Sequence, residues 1–340
     1  MIRWPAEWEP QAAVLFSFPN STGNWGGQLL AASQEIAELI AITAQFVKVI
    51  VVCGDPNWAA NYSELLAAAK LVEIPTNDCW IRDFGPLSVE ASASIKLLDY
   101  RFNGWGRKYP AQQDDRVTAR LWAKRELGPN HLQCLDTVLE GGSIETDGRG
   151  TILTTTSCLL HPQRNPALSK QRIEQLLKNQ LGASRVVWLD HGHLIGDDTD
   201  GHIDTLVRFC DPKTIAYVAC DDRSDLHYGP LQKMQAELKQ AFPEHQLVPL
   251  PFVPALYHPE NGRRLPATYA NFLISNGVVL LPTYGVSTDK AAIKVLESLF
   301  PEREIVPLSS RAIIHQNGSF HCLSMQLPLS IGGVSSLQLP

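Results

Sequence analysis

The stretch Gly201-His202-Ile203-Asp204-Thr205-Leu206-Val207-Arg208-Phe209-Cys210-Asp211-Pro212-Lys213-Thr214-Ile215-Ala216-Tyr217-Val218-Ala219-Cys220 decides the fold. Residues 203–209 read as a strand, Asp211-Pro212 as a turn, and residues 215–220 as a second strand. Leu231, Met234, Leu238 and Phe242 then recur at helical spacing, and residues 247–250 close the unit as a third strand. The order is strand, turn, strand, helix, strand. Residues i and i+2 of a strand face one side, so this reading points His202 and Asp204 into a common space.

The same order appears on either side. Residues 143–145 and 151–155 read as strands around the Asp147-Gly148 turn. Ile173, Leu176, Leu177 and Leu181 mark a helix, and residues 186–189 a closing strand. Further on, residues 271–275 and 278–282 flank Asn276-Gly277, a hairpin signal. Thr288 stands at an N-cap position, Ile293, Leu296 and Phe300 mark the helix, and residues 304–308 the last strand. Two less regular units run from Val14 through a helix at about 29–46 to a strand at 47–52, and from Trp80 through residues 97–100 to about Leu135. Sequence identity between units is negligible. The repeat is one of structure, and about five such α/β modules would make residues 1–340 a single domain around a central cleft. The alternative is an ordinary α/β sandwich.

Composition narrows the function. The chain has 340 residues, is 44% hydrophobic and 19% charged, and carries a net charge of -6, as ordinary globular enzymes do. An acidic balance argues against a nucleic-acid surface and is mildly favourable to cationic ligands. Neither a signal-like apolar core nor a run of about 18 apolar residues occurs, so no membrane role is expected. The seven cysteines are odd in number and include no C-x-x-C pair, which argues against a disulfide framework or zinc knuckle and for a reducing, cytoplasmic setting.

Four segments carry chemistry. Asn77-Asp78-Cys79-Trp80-Ile81-Arg82-Asp83-Phe84-Gly85-Pro86 packs two carboxylates, a cation and an indole into ten residues. A carboxylate accepts two parallel N–H bonds from a guanidinium, and an indole packs on its flat face. The competing reading pairs Asp83 with Arg82 in a turn. Residues 190–204 hold three histidines among many aspartates, which suits either a metal site built on His191, His193, Asp200 and His202 or Asx-turn chemistry. Glu140-Gly141-Gly142-Ser143 allows either close backbone approach or a plain tight turn. Asn317-Gly318 signals a turn just before Phe320-His321-Cys322, and can set the Cys322 thiol at a strand end.

Together these segments resemble the agmatine deiminase family, also called the bacterial-type peptidyl-arginine deiminase family. The resemblance runs nearly end to end. It begins at Pro5-Ala6-Glu7-Trp8-Glu9-Pro10, includes the segments above, Tyr269-Ala270-Asn271-Phe272 and Pro282-Thr283-Tyr284-Gly285, and ends at His321-Cys322. It implies a five-bladed α/β propeller, a cofactor-free and metal-free site, and a small cationic guanidino substrate such as agmatine. It also implies Cys322 as nucleophile, His202 as general acid and base, and Asp83 and Asp204 as guanidinium acceptors. Trp80, Arg82, Asn271 and Glu140 match motif positions near the substrate. The chain departs from the family at Gln316-Asn317-Gly318-Ser319 and at Ser143, where the family commonly has glycines and asparagine. Amidino transfer, methylarginine hydrolysis and peptidyl-arginine deimination are alternatives on the same fold. A metal-dependent hydrolase and a non-catalytic guanidine-binding protein are alternatives of other classes. A homodimer would be common for such an enzyme, but no segment marks an interface.

Overall fold

The computed structural model describes residues 2–91 and 94–329. The segment 330–336, read from sequence as strand, loop or contact surface, lies outside them.

The repeat is real. Among the described residues there are five small sheets, and each contains an antiparallel pair followed, across a helix or loop, by a parallel strand. Ile144–Thr146, Thr151–Thr155 and Arg185–Leu189 form one. Val207–Asp211, Thr214–Val218 and Gln246–Leu250 form the next, and Leu273–Ser275, Val278–Thr283 and Glu304–Ser309 a third. In each of these three the middle strand pairs antiparallel with the first and parallel with the last. A parallel return needs a crossover, and the helices Lys170–Leu181, Tyr228–Ala241 and Asp289–Leu299 supply it. The fourth sheet joins Leu87–Ala91, Ser94–Arg101 and His131–Val138, with Ile2–Arg3 added at its edge. The chain is a five-bladed α/β propeller.

Local chemistry explains the helices. Lys170–Leu181 buries Ile173, Leu177 and Leu181, one stripe at i, i+4, i+8. The Ser169 hydroxyl accepts from the Arg172 N–H at its start, and Gly182, at φ 73°, ends it. The helix Asp289–Leu299 begins differently from expectation. Thr288 precedes it without capping it, and its hydroxyl lies 2.8 Å from the Tyr269 hydroxyl. Asp289 instead accepts from the backbone N–H groups of Tyr284 and Val286, which folds the entering loop back onto the helix start.

Two strands are shorter than the sequence suggests. Residues 203–205 form a 3-10 turn, and the strand starts only at Val207. The Thr205 hydroxyl donates to the His202 carbonyl and the Leu206 N–H to the Ile203 carbonyl, which curls the backbone. His202 and Asp204 therefore converge through a turn and not through strand alternation. Likewise the strand begins at Leu273, not Asn271, because the Asn271 carbonyl accepts from the His321 N–H.

The fifth sheet closes the ring. It orders Ser324–Pro328, Gln11–Phe18, Lys48–Cys53 and Lys70–Glu73, with the crossover helix Leu29–Thr43. The unit that starts at Val14 thus takes its antiparallel first strand from the far end of the chain. Leu327, opposite Ala13 and 1% exposed, is part of that seam. Closure of this kind fixes the residues just before Ser324, Cys322 among them, against the other modules. None of the described helices is long and apolar enough to cross a membrane.

Leu327→Ala is expected to lower unfolding free energy by about 2–5 kcal/mol, read as a reduced urea midpoint, because a buried leucine leaves a cavity. An unchanged midpoint would show that the ring does not depend on this seam.

Candidate active site

Cys322 lies in the turn that precedes the closing strand, two residues outside it. Its backbone is held from two sides. The Arg82 N–H donates to the Cys322 carbonyl at 3.2 Å, and the Cys322 N–H to Asn271 Oδ1 at 3.3 Å. The Asn271 amide also reaches the thiol at 3.2 Å and Asp204 Oδ2 at 3.2 Å. Asp204 Oδ2 stands 3.5 Å from the Cys322 sulfur. Thiol, amide and carboxylate are thereby brought together from three modules.

Asp83 comes from the four-residue helix Ile81–Phe84, which follows the N-D-C-W motif. The Trp105 indole donates to its Oδ2 at 2.8 Å, and the Gly142 N–H donates to its Oδ1 at 3.0 Å. His202 Nδ1 is 3.6 Å from the same Oδ1. Gly142 is the close approach that the paired glycines allow. A methyl group at its Cα would stand 2.7 Å from His202 Nδ1, 2.9 Å from Asp83 Oδ1 and 3.1 Å from Asp204 Oδ2. Three chemically active groups therefore surround one point, and only a missing side chain leaves room for them.

Trp105 is a site residue that sequence reading missed. Gly104, Trp105, Gly106 and Arg107 form a left-handed turn, with φ of 70°, 53°, 81° and 65°. Such backbone disfavours side chains, which accounts for the two glycines. The turn aims the indole at Asp83 and sets Tyr109 edge-on against it, ring centroids 5.6 Å apart. The G-W-G spacing was the available signal.

A cavity opens onto Cys322. Trp80, Asp83, Trp105, Tyr109, Thr205, Gly318, Asp78, Asp198, Thr199, Asn24, Gln316 and Asn317 line it with the cysteine. Gly318 lies flat on Trp80, since a methyl there would sit 2.3 Å from the ring. The segment that departs from the family, 316–318, is thus wall of this cavity. Asn317 takes a left-handed φ of 71° and donates to Asp198 Oδ2 at 2.8 Å.

Two residues expected near the substrate sit elsewhere. Arg82 does not line the cavity. Its guanidinium points behind the site, to Gln326 Oε1 at 2.7 Å and the His321 carbonyl at 3.2 Å. A side chain one residue before Asp83 on a helical turn leaves in a different direction, so the two do not pair. Glu140 is fully buried beneath His202, 4.0 Å from its Nε2, and binds the Arg164 side chain through both oxygens at 3.0 and 2.8 Å. Asn271 braces the thiol and Asp204 and is not part of the cavity wall.

The metal arrangement read from residues 190–204 does not assemble. His191 pairs with Glu237, His193 packs beside His227, and Asp200 binds Lys108 and Arg164. Among the described residues, one metal-like group does exist, Glu140, Cys158 and His202, with donor atoms within 4.8 Å of one another. Glu140 already gives both oxygens to Arg164, so the group is better read as the surroundings of His202.

Electrostatics assign protonation states. Burial pushes Asp83 up to about 6, an effect that His202 offsets and Asp204 reinforces. Burial acts downward on His202, but Asp83, Cys158 and Glu140 overcome it and hold the imidazole well above its usual value. Burial raises the Cys322 thiol far up, and the charges of Asp204 and Asp83 raise it further. The resting site therefore holds a neutral thiol and an imidazolium. A cation between the two carboxylates would favour the thiolate.

The chain matches the family described as Porphyromonas-type peptidyl-arginine deiminase over residues 3–328. It belongs to that family. A Vibrio parahaemolyticus protein named as an agmatine deiminase is 36% identical, over 96% of both chains. The solved C. jejuni agmatine deiminase, a cysteine-to-serine variant with substrate bound, shares 36% identity and a TM-score of 0.92, covering 97% of each chain. A Porphyromonas gingivalis structure named as an arginine deiminase shares 43% identity and a TM-score of 0.91, covering 97% of this chain and 99% of that one.

Gly142→Ala is expected to lower kcat/KM by about a hundredfold or more without changing the circular dichroism spectrum, since it displaces His202, Asp83 and Asp204 by a fraction of an ångström to an ångström. Unaltered kinetics would mean that the three side chains can yield.

Proposed function

We propose that this deiminase-family chain hydrolyses agmatine, a small guanidino amine, to N-carbamoylputrescine and ammonia through a covalent intermediate on Cys322. One observation carries the choice of substrate. The cavity has the buried carboxylate Asp83 in its wall near the thiol, Asp204 stands outside the wall but 3.5 Å from the sulfur, and a second acidic pair, Asp78 and Asp198, lies in its more exposed part. Asp78 and Asp198 repel each other, and burial with that repulsion lifts Asp78 to about 6. Trp80 and Trp105 supply apolar wall, and among the described residues no lysine or arginine lines the cavity. A molecule cationic at both ends with an apolar stem satisfies both pairs. Free arginine brings a carboxylate to an acidic wall, and peptidyl-arginine leaves the outer pair without a cation.

The geometry supports the following reaction. Asp83 and Asp204 receive the guanidinium N–H groups and turn its carbon to Cys322. The arriving cation offsets the two carboxylates, so the thiol releases its proton to solvent and sulfur attacks the carbon. A tetrahedral adduct forms. The His202 imidazolium protonates one nitrogen, the C–N bond breaks, and ammonia leaves. Water attacks the resulting S-alkylthiouronium while neutral His202 takes its proton. The new hydroxyl then passes its proton to the departing sulfur as the C–S bond breaks, which returns the thiol with the ureido product. Asp83 and Glu140 keep His202 charged for the first half of the cycle.

Ammonia and ureido product are to be measured from agmatine, free arginine and an arginine peptide, each with EDTA present. Agmatine alone is expected to react. Product from the peptide alone would keep the chemistry and overturn the substrate. Loss of turnover on EDTA treatment would favour the metal hydrolase. Cys322→Ala is expected to abolish turnover with the fold intact, and near-normal turnover by it would sink the covalent route. Asp198→Asn is expected to raise KM for agmatine about ten- to a hundredfold at nearly constant kcat. Because Asp83 must be ionised to receive a cation, kcat/KM should fall as pH drops through about 6. A profile that is flat from about pH 7 to pH 5 would contradict that role.

A further inference from the structure

Behind Cys322 lies an ionic cluster that the proposed chemistry touches only at its front. Asp204 uses Oδ2 within the protein: His321 Nδ1 is 2.7 Å from it, and Asn271 donates to it. Asp204 Oδ1 is buried and has no partner. The other ring nitrogen of His321, Nε2, is 2.7 Å from Glu7 Oε2. Glu7 comes from the Pro5–Pro10 motif, more than three hundred residues away in sequence. Arg208 also binds Glu7 Oε2, at 2.5 Å, and the Ile274 N–H donates to Oε1 at 2.6 Å.

The ring's state follows from its two partners. A neutral imidazole has one N–H, and a carboxylate oxygen offers no proton in return. Glu7 and Asp204 are both held below the usual carboxylate range, and with both ionised the two short contacts require both ring nitrogens to donate. The charge count agrees. The charged groups around His321 are Glu7, Asp204 and Glu145, with Arg82 and Arg208 against them. A protonated His321 makes three cations against three anions, all nine-tenths buried or more. A neutral ring would leave one buried carboxylate uncompensated.

We propose that His321 is a positioning residue which, held as an imidazolium by Glu7, keeps Asp204 ionised, fixes its Oδ2 and presents its free Oδ1 to the guanidinium. The proposal rests on the reading of Asp204 as a guanidinium acceptor. Burial alone would push Asp204 up, and the bond and charge of His321, with His202 and Arg208, hold it below the usual carboxylate range. The role explains why an acidic residue at position 7 and a histidine beside the nucleophile belong to one site. Neither touches the cavity.

Two measurements test it. In the free, 15N-histidine-labelled protein, the resonances missing from His321→Gln are expected to show both ring nitrogens protonated at neutral pH, and Glu7→Gln to convert the ring to a neutral tautomer. A neutral ring in the unaltered protein overturns the proposal. This readout needs no turnover, so an inactive protein would sink the agmatine reading and leave the imidazolium standing. His321→Gln removes one buried charge and can fail to fold. The double variant Glu7→Gln with His321→Gln removes one charge of each sign and keeps the balance. Its KM for agmatine is expected to rise about tenfold or more at neutral pH, with the acid limb of kcat/KM moved about a unit or more to higher pH, and KM recovering as pH is raised. A purely structural role would instead lower kcat equally at every pH and leave the limb in place, and that result overturns the proposal.

Discussion

Two carboxylates of like charge, Asp83 and Asp204, are buried around one point beside a thiol, and the rest of the site is arranged to keep them there. In the absence of a cation this is unfavourable, because burial and mutual repulsion both act against ionisation. The protein answers each differently. Asp83 receives an indole N–H, a backbone N–H and the neighbouring charge of His202. Asp204 is backed by a charge-balanced cluster of arginines, glutamates and His321. The remaining deficit is a demand for a cation, and it reaches Cys322 directly, because a cation there would offset the charges that hold the thiol neutral.

The ring supplies the rigidity that such a cluster needs. No single module holds the site. Asp83 stands just before the strand Leu87–Ala91, Glu140 and Gly142 just before Ile144–Thr146, His202 and Asp204 just before Val207–Asp211, Asn271 just before Leu273–Ser275, and Cys322 just before Ser324–Pro328, which closes the ring against Gln11–Phe18. Charged groups in a dry interior keep their interaction only if they cannot move apart. A closed set of five sheets gives each contributing loop a fixed partner on both sides. The aromatic wall belongs to the same logic. The left-handed turn at Gly104–Arg107 and the flat seat of Gly318 on Trp80 are strained or crowded features that surrounding packing holds in place.

Sequence reading reached much of this and failed in ways that have physical reasons. The three regular modules were legible because each carries a helix with one apolar stripe and strands bounded by turn residues. The first module was not, since its leading strand comes from residues 324–328 and no local pattern announces a partner at the other end of the chain. Residues 203–205 looked like strand because Ile203 and Thr205 favour one, yet the Thr205 hydroxyl and the backbone bonds to His202 and Ile203 curl them into a turn. Arg82 looked like a substrate ligand because it sits between Trp80 and Asp83, but one helical step turns it toward Gln326 and Glu7. His321 and Glu7 offer, on their own, no spacing that signals chemistry, and the Gly104-Trp105-Gly106 spacing signals a turn without saying where the indole points.

What the sequence determined by itself is the set of modules and the kinds of groups present: a thiol, an imidazole and paired carboxylates in an acidic, ordinary-sized globular chain. Periodicity and turn residues are local, and they survive without knowledge of partners. What only the tertiary structure decided is the state of those groups. Whether His202 is charged, whether Cys322 is a thiol, which oxygen of Asp204 is free and which end of the cavity is acidic all depend on burial and on neighbours from distant modules. Coulomb interactions and desolvation act through space, over a few ångströms, and those distances exist only once the ring has closed.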